Sequence, residues 1–269
     1  MDLIQSVILG IVQGFTEFLP VSSSGHLILL QKIFGMGEVP LFYDVMLHVG
    51  TLIAVIIVLR SDIAAILMHP IKNKLGMLIL ATVPVVVVTL ITEKGFPEIF
   101  DNIFDGRYLA FGFFATTIVL VLSETIARRN ESKQGVGLKQ ALAMGFMQSA
   151  AVLPGLSRSG SSIAGGLMAG VGREQAARFA FLMSIPVIIG SAGYTALDVA
   201  ETGLGDVAVV DIVVGTAVAA VCGFVAIKFM LSLISKHKLY GFAIYTAVLG
   251  TFVLVESLMF GQIFTSPFV

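Results

Sequence analysis

The chain has 269 residues, 57% of them apolar and 12% charged, with a net charge of −1 and a mean hydropathy of +0.99. Soluble domains carry about a quarter charged residues, so roughly half the charge needed to wet a globular surface is missing, and a water-soluble enzyme is excluded. The near-neutral balance and the lack of a basic run argue against nucleic acid as a partner, and the single Cys222 excludes a disulfide framework and any Cys-based zinc site.

In chain order, the first segment, 3–34, is apolar but interrupted by Pro20 and three serines. It has Asp2 where a secretory leader is basic and no Lys or Arg before Lys32, so it is expected to belong to the folded protein rather than to a removable leader. Three uninterrupted apolar spans are predicted near 42–59, 76–92 and 107–126, each close to the length a bilayer crossing needs. A second interrupted segment covers 138–172, and spans near 178–197, 207–232 and 240–259 complete the chain. Pro84 and Pro186 fall inside two of the spans, where membrane helices tolerate them as kinks.

Lys and Arg in short loops set orientation. The connections 60–75 (Arg60, Lys72, Lys74), 127–139 (Arg128, Arg129, Lys133, Lys139) and 233–239 (Lys236, Lys238) are predicted to be cytoplasmic. The acidic connections 93–106 (Glu93, Glu98, Asp101, Asp105) and 198–206 (Asp198, Glu201, Asp206) are predicted to lie outside. Six spans thread this pattern without conflict only if 3–34 enters and leaves on the outer side and 138–172 enters and leaves on the cytoplasmic side. Both termini are then outside.

The two interrupted segments resemble each other. One reads Gly10-x-x-Gln13, Pro20, Ser22-Ser23-Ser24-Gly25; the other reads Gly145-x-x-Gln148, Pro154, Ser157-Arg158-Ser159-Gly160. Three spans separate them, and an odd number inverts the second copy. The expected fold is therefore an all-α integral membrane protein of six transmembrane helices plus two re-entrant helical hairpins arranged as an inverted repeat. It forms one membrane domain over 1–269, with repeat one at about 1–126 and repeat two at about 138–259. Inverted repeats with broken helices place their site near the midplane, where half-helix N-termini converge. The plainer reading is that Gly, Ser and Pro only allow close helix packing, which is also the reading given to Gly166-x-x-x-Gly170.

The charges at the breaks favour a site. An ionised group at the bilayer centre costs about 2.5–3.5 kcal/mol on insertion scales, and the breaks hold Glu17, His26 and Arg158. Gln13 and Glu17, four apart, share a helix face. Pro20 ends that helix, and Ser22, Ser23 and Ser24 then occupy a helix start with free N–H groups. Ser157, Arg158, Ser159 and Ser162 repeat the arrangement with a guanidinium suited to phosphate. A carboxylate beside an anion site is sensible if it holds a divalent cation, Mg²⁺ or Ca²⁺, through oxygen ligands, or if it moves a proton. For phosphoryl transfer, Arg158 would stabilise charge, Ser23 is the candidate nucleophile, and His26 and Glu17 are acid/base candidates. A purely structural Glu17–Arg158 ion pair is the competing reading. His48 inside a span, Gln148 as a helix–helix hydrogen bond, and Glu124, Glu256, Asp211 and Lys228 near span ends are assigned no chemistry.

At these residues the chain resembles the undecaprenyl-diphosphate phosphatase family, also called the bacitracin-resistance protein family. The likeness rests on Gln13-Gly-Phe-Thr-Glu17-Phe-Leu-Pro-Val-Ser-Ser-Ser-Gly-His26 and Pro154-Gly-Leu-Ser-Arg158-Ser-Gly-Ser-Ser162, with further matches over Asp44 to Thr51 and Phe179 to Pro186. The resemblance implies a phosphatase of the bacterial cell membrane that acts on a polyprenyl diphosphate and regenerates the lipid carrier of cell-wall synthesis. It also implies a metal-associated pair at Gln13 and Glu17, a nucleophile at Ser23, a functional histidine at His26 and phosphate binding by Arg158. The family often has Glu at the position of Gln13 and usually Thr at those of Ser24 and Ser162. A transporter or flippase of the same lipid and a small-anion channel are the rival readings; membrane lipids surround the chain in each, and homo-oligomerisation is left open.

Overall fold

Local chemistry decides where the helices begin. Asp2 accepts from the N–H of Gln5 while Gln5 reaches back to the N–H of Asp2, a reciprocal cap that starts α1 (Leu3–Phe18). Pro20 follows its end, and Ser22 caps α2 (Ser23–Ile33). The computed structural model describes residues 2–36, 39–70, 75–95, 106–127, 135–202 and 207–264. The other helices among the described residues are α3 (Leu41–Val58), α4 (Arg60–Met68), α5 (Leu75–Gly95), α6 (Leu109–Ala127), α7 (Leu138–Ser149), α8 (Arg158–Met168), α9 (Arg173–Thr202), α10 (Val209–Lys236) and α11 (Tyr240–Met259). No strand occurs among the described residues.

Six helices, α3, α5, α6, α9, α10 and α11, are long and apolar enough to cross a bilayer, and they coincide with the six predicted spans. Their outer faces carry Ile53, Ile57, Val86, Leu90, Ile118, Val221, Phe229 and Phe252 in exposed positions, an apolar belt suited to lipid rather than water. The chain is a multi-pass membrane protein. Pro84 and Pro186 lie inside α5 and α9. By contrast α1, with 16 residues, rises only about 24 Å, and α2, α7 and α8 are shorter still, so each falls short of the roughly 30 Å hydrocarbon layer. α1 packs on α2 and α7 on α8, which is consistent with two hairpins that enter and turn back.

Packing follows the proposed repeat. α1 lies against α10 and α7 against α5; α10 also packs on α3, and α5 on α9. Exchanging repeat one (α1, α2, α3, α5, α6) with repeat two (α7, α8, α9, α10, α11) turns each of these contacts into its mate, consistent with an inverted repeat whose halves interlock. The repeated glycines explain why. A β-carbon at Gly10 would come within 2.6 Å of the Gly215 carbonyl on α10, and one at Gly145 within 2.9 Å of Ala81 Cα on α5. Each copy of the same residue lets its hairpin cross the partner repeat's fourth helix at backbone contact.

Helix boundaries differ from the sequence expectation where charges are paired. α9 begins at Arg173, five residues before the predicted span, because Arg173 and Arg178 are neutralised within the fold: Arg173 by Glu124, Arg178 by Glu174 and Asp62. The connection 60–75 holds the unpredicted helix α4, and Glu93, Asp198 and Glu201 fall within α5 and α9 rather than in loops. Lys72, Lys74, Glu98, Asp101, Asp105, Arg128, Arg129, Lys133 and Asp206 lie outside the described residues.

Glu124 and Glu256, expected to reach the interface from the span ends, are instead drawn inward. Glu124 is fully buried and takes both guanidinium nitrogens of Arg173, at 2.8 and 2.5 Å, plus the N–H of Leu239 at 2.8 Å. It thereby ties together α6, the start of α9 and the turn before α11, three segments that the charge pattern puts on one side of the bilayer. Glu256 accepts from the N–H groups of Gln262, Ile263 and Phe264 at 2.8–2.9 Å. Removing one partner of a buried ion pair leaves the other uncompensated and costs about 3–5 kcal/mol. Glu124→Ala is expected at the lower end, since Arg173 keeps 28% side-chain exposure, and thermal unfolding in detergent should register it as a lowered midpoint with the fold retained below it.

Candidate active site

The two hairpin tips meet. Ser159 Oγ at the start of α8 donates to the carbonyl of Leu19 at the first break, at 3.0 Å, and a β-carbon on Gly160 would lie 3.1 Å from Pro20 Cβ. Each tip is built the same way. Ser22 Oγ caps the N–H of Gly25 at 3.3 Å, Ser157 Oγ caps that of Gly160 at 3.0 Å, and in each copy the serine two residues on brings its Oγ to 3.3 Å. Thr116 on α6 fastens the second tip, donating to the carbonyl of Gly155 and accepting from the N–H of Ser157, both at 2.8 Å.

Between the tips Glu17, 4% exposed, is the hub. Gln13 Nε2 donates to its Oε2 at 3.0 Å and Ser23 Oγ donates to the same oxygen at 2.5 Å. Arg158 donates through Nη2 to Oε1, a charge-assisted bond between the two repeats. His48 Nε2 stands 3.6 Å from Oε2, its other nitrogen anchored 2.8 Å from the Asp44 carbonyl. The expected constellation of Gln13, Glu17, Ser23 and Arg158 is thus brought together.

The ion pair does not exhaust Arg158. Its Nη1 is buried and has no partner, and its side chain lines a cavity of about 290 Å³. The polar lining of that cavity is Ser24, Asp44, His48, Arg158 and Ser191; the rest is apolar, including Leu27, Leu41, Val45 and Ile188. A cationic pole inside an apolar chamber suits an amphiphile with an anionic head.

The other predicted groups divide. Ser24 faces the cavity. The hydroxyls of Ser22, Ser157 and Ser159 are spent on caps and on the tip-to-tip bond, and Ser162 donates to the Arg158 carbonyl at 2.9 Å and to Gln148 Oε1 at 3.3 Å. The Gln148 bond is the helix–helix contact expected for it. His26 is not beside Glu17: its Nδ1 lies 2.6 Å from the Ser22 carbonyl and its Nε2 2.8 Å from the Tyr245 hydroxyl on α11. Gln13 Oε1 is a buried acceptor without a partner, next to Glu17. Among the described residues no cluster of three or more His, Cys, Asp or Glu could hold a metal ion.

Sequence reasoning missed His48, Asp44, Thr116 and Tyr245. His48 and Asp44 carried a usable signal, two titratable residues four apart inside a span. Thr116 and Tyr245 carried none, because their partners are 39 or more positions away in the chain.

The comparisons agree in direction. The family model described as bacitracin resistance protein BacA matches residues 6–252. A protein of Carboxydothermus hydrogenoformans named undecaprenyl-diphosphatase is 40% identical, over 95% of this chain and 97% of its own length. One of Halothermothrix orenii with the same name is 36% identical over 95% and 98%, and undecaprenyl-diphosphatase 4 of Bacillus cereus is 35% identical over 98% and 100%.

Thr116 is the support of the second tip that can be tested without touching the cavity. Thr116→Val keeps its shape but leaves the Ser157 N–H and the Gly155 carbonyl unpaired, at about 1–3 kcal/mol per orphaned group. A reduced thermal midpoint relative to the unmodified protein is the expected result.

Proposed function

Because the chain belongs to the bacitracin resistance protein BacA family, we propose that it is a membrane phosphatase converting undecaprenyl diphosphate to undecaprenyl phosphate and inorganic phosphate, so renewing the lipid carrier for cell-wall synthesis. The observation that carries this reading is Arg158: Nη2 is held by Glu17, Nη1 is buried without a partner, and the side chain lines an otherwise largely apolar cavity.

The terminal phosphate binds Arg158 Nη1 and Ser24 Oγ, with the start of the prenyl chain against Leu27, Val45 and Ile188. Glu17 Oε2 takes the proton of Ser23 as Oγ attacks the terminal phosphorus. The bond from phosphorus to the bridging oxygen breaks, that oxygen leaves with the electron pair as undecaprenyl phosphate, and Glu17 returns the proton to it. Water then attacks the phosphoserine, giving its proton to Glu17 and on to the departing Ser23 Oγ, and inorganic phosphate is released. Arg158 opposes the charge that spreads over the transferred oxygens. Gln13 Oε1 and Glu17 are oxygen donors suited to Mg²⁺ or Ca²⁺, which when bound would neutralise diphosphate charge. A transporter needs the anion site but no nucleophile; the Ser23–Glu17 bond at 2.5 Å supports hydrolysis over transport.

Protein purified in detergent with Mg²⁺ or Ca²⁺ should release phosphate from a polyprenyl diphosphate. Arg158→Ala and Glu17→Ala should each lower turnover by roughly 10²–10³-fold or more. No release by well-folded protein would leave transport as the better reading. Trapping during turnover should yield a phosphopeptide containing Ser23.

Membership of the family supports a location in the bacterial plasma membrane, and the charge pattern supports both ends outside, with substrate entering from the outer leaflet. With Cys222→Ser as background, Thr202→Cys should be blocked by an impermeant thiol reagent added outside intact cells. Protection from that reagent would reverse the orientation.

A further inference from the structure

The first tip contains a strained residue that the second tip lacks. Ser22 has φ 72° and ψ 99°, and it is the non-glycine residue with positive φ among the described residues. Ser157, at the equivalent place in the second tip, has ordinary angles of −64° and 118°. Both serines make the same cap to a glycine three residues on, so capping does not require the strain. A non-glycine side chain held in such a region persists only where its surroundings over-determine it, and such residues cluster at functional sites.

Of the two positions that differ between the tips, the one that touches this carbonyl is four residues on, Ser161 in α8 and His26 in α2. In α8 the Ser161 N–H bonds the Ser157 carbonyl at 2.8 Å; in α2 the matching bond from the His26 N–H stretches to 3.2 Å, while the imidazole Nδ1 lies 2.6 Å from the same carbonyl. A carbonyl oxygen only accepts, so Nδ1 carries the proton, and Nε2 accepts from the Tyr245 hydroxyl at 2.8 Å. Aromatic contacts hold the ring as well. Tyr245 stacks on it at 5.6 Å with 9° between planes, and Phe113 meets it edge-on at 5.7 Å. His26 is 7% exposed, both its nitrogens are committed, and it does not line the cavity that holds Ser24, His48 and Arg158.

We infer that His26 is a positioning residue rather than a proton carrier, and that Tyr245, contributed by the opposite repeat, fixes its tautomer. The pair holds the Ser22 carbonyl in its turned position, and this aims the next side chain, Ser23, at Glu17. The inference rests on the phosphatase reading of the same site and assigns within it a tether between repeats.

The test compares His26→Asn, His26→Ala and Tyr245→Phe for phosphate release from a polyprenyl diphosphate in detergent, with thermal unfolding to verify folding. An Asn amide nitrogen can donate where Nδ1 does but cannot carry a proton in turnover. A tether predicts that Asn exceeds Ala by roughly tenfold, the scale of a hydrogen bond to a buried carbonyl. It also predicts that the acidic limb of the pH–rate profile stays in place with Asn, and that Tyr245→Phe lowers kcat with KM unchanged. If Asn and Ala fall equally by about 10²–10⁴-fold and the limb disappears, His26 is an acid or base and the inference is overturned. Tyr245→Phe, which removes one hydroxyl, is decisive if the Ala variant does not fold; unchanged kcat there also overturns the tether. Failure of the unmodified protein to release phosphate would instead count against the phosphatase reading. In that event nitrogen NMR of the His26 ring still decides the matter, since the tether requires the Nδ1–H tautomer and an Nε2–H ring refutes it.

Discussion

The structure depends on one pairing, the Glu17 carboxylate of the first hairpin with the Arg158 guanidinium of the second, inside a bundle whose outer surface faces hydrocarbon. Neither charge is tolerable there alone, so neither hairpin can sit with its tip elsewhere. Joining them brings two half-helix starts together, and the close crossings at Gly10 and Gly145 follow, because the hairpins reach each other only if their long helices pass the opposite repeat at backbone distance. The competing structural reading of this ion pair is thus correct as far as it goes. The pair organises the fold, and it also leaves Arg158 Nη1 buried without a partner.

Two copies of one motif meet at a single carboxylate. The caps, the paired serine hydroxyls and the glycines are common to both tips, and besides His26 and Ser161 the tips diverge at the position after the capping serine. It is Ser23 in the first and Arg158 in the second, a hydroxyl opposite a cation, both bonded to Glu17. A symmetric pair of tips would offer only a concave anion site. With Ser23 on one side and Arg158 on the other, the Glu17 carboxylate is shared by a hydroxyl and a guanidinium.

Other buried carboxylates show what purely structural use looks like. Glu124 and Glu256 are each satisfied by donors that fill their oxygens, a bidentate Arg and a backbone N–H in one case, three successive backbone N–H groups in the other. They lie toward the ends of α6 and α11, matching helices of the two repeats, where they gather neighbouring turns. Glu17 differs in having a hydroxyl and a free-ended guanidinium among its partners, groups that can exchange for substrate.

Much of this was legible in the sequence. The number of spans, their approximate limits and the two interruptions follow from hydrophobic run length and from Pro and Ser chemistry, which are local; the meeting of Glu17 and Arg158 follows from the cost of unpaired charge in hydrocarbon. The sequence left undecided how the hydroxyls and rings are spent. That Ser22, Ser157 and Ser159 serve the backbone while Ser24 faces the cavity depends on small rotations at the tips. That His26 turns to Tyr245 while His48 turns to Glu17 depends on contacts across as many as 219 positions. No periodicity or spacing encodes such contacts, because they exist only once the two halves of the chain pack together. Only the tertiary structure could decide which of two intramembrane histidines stands at the carboxylate.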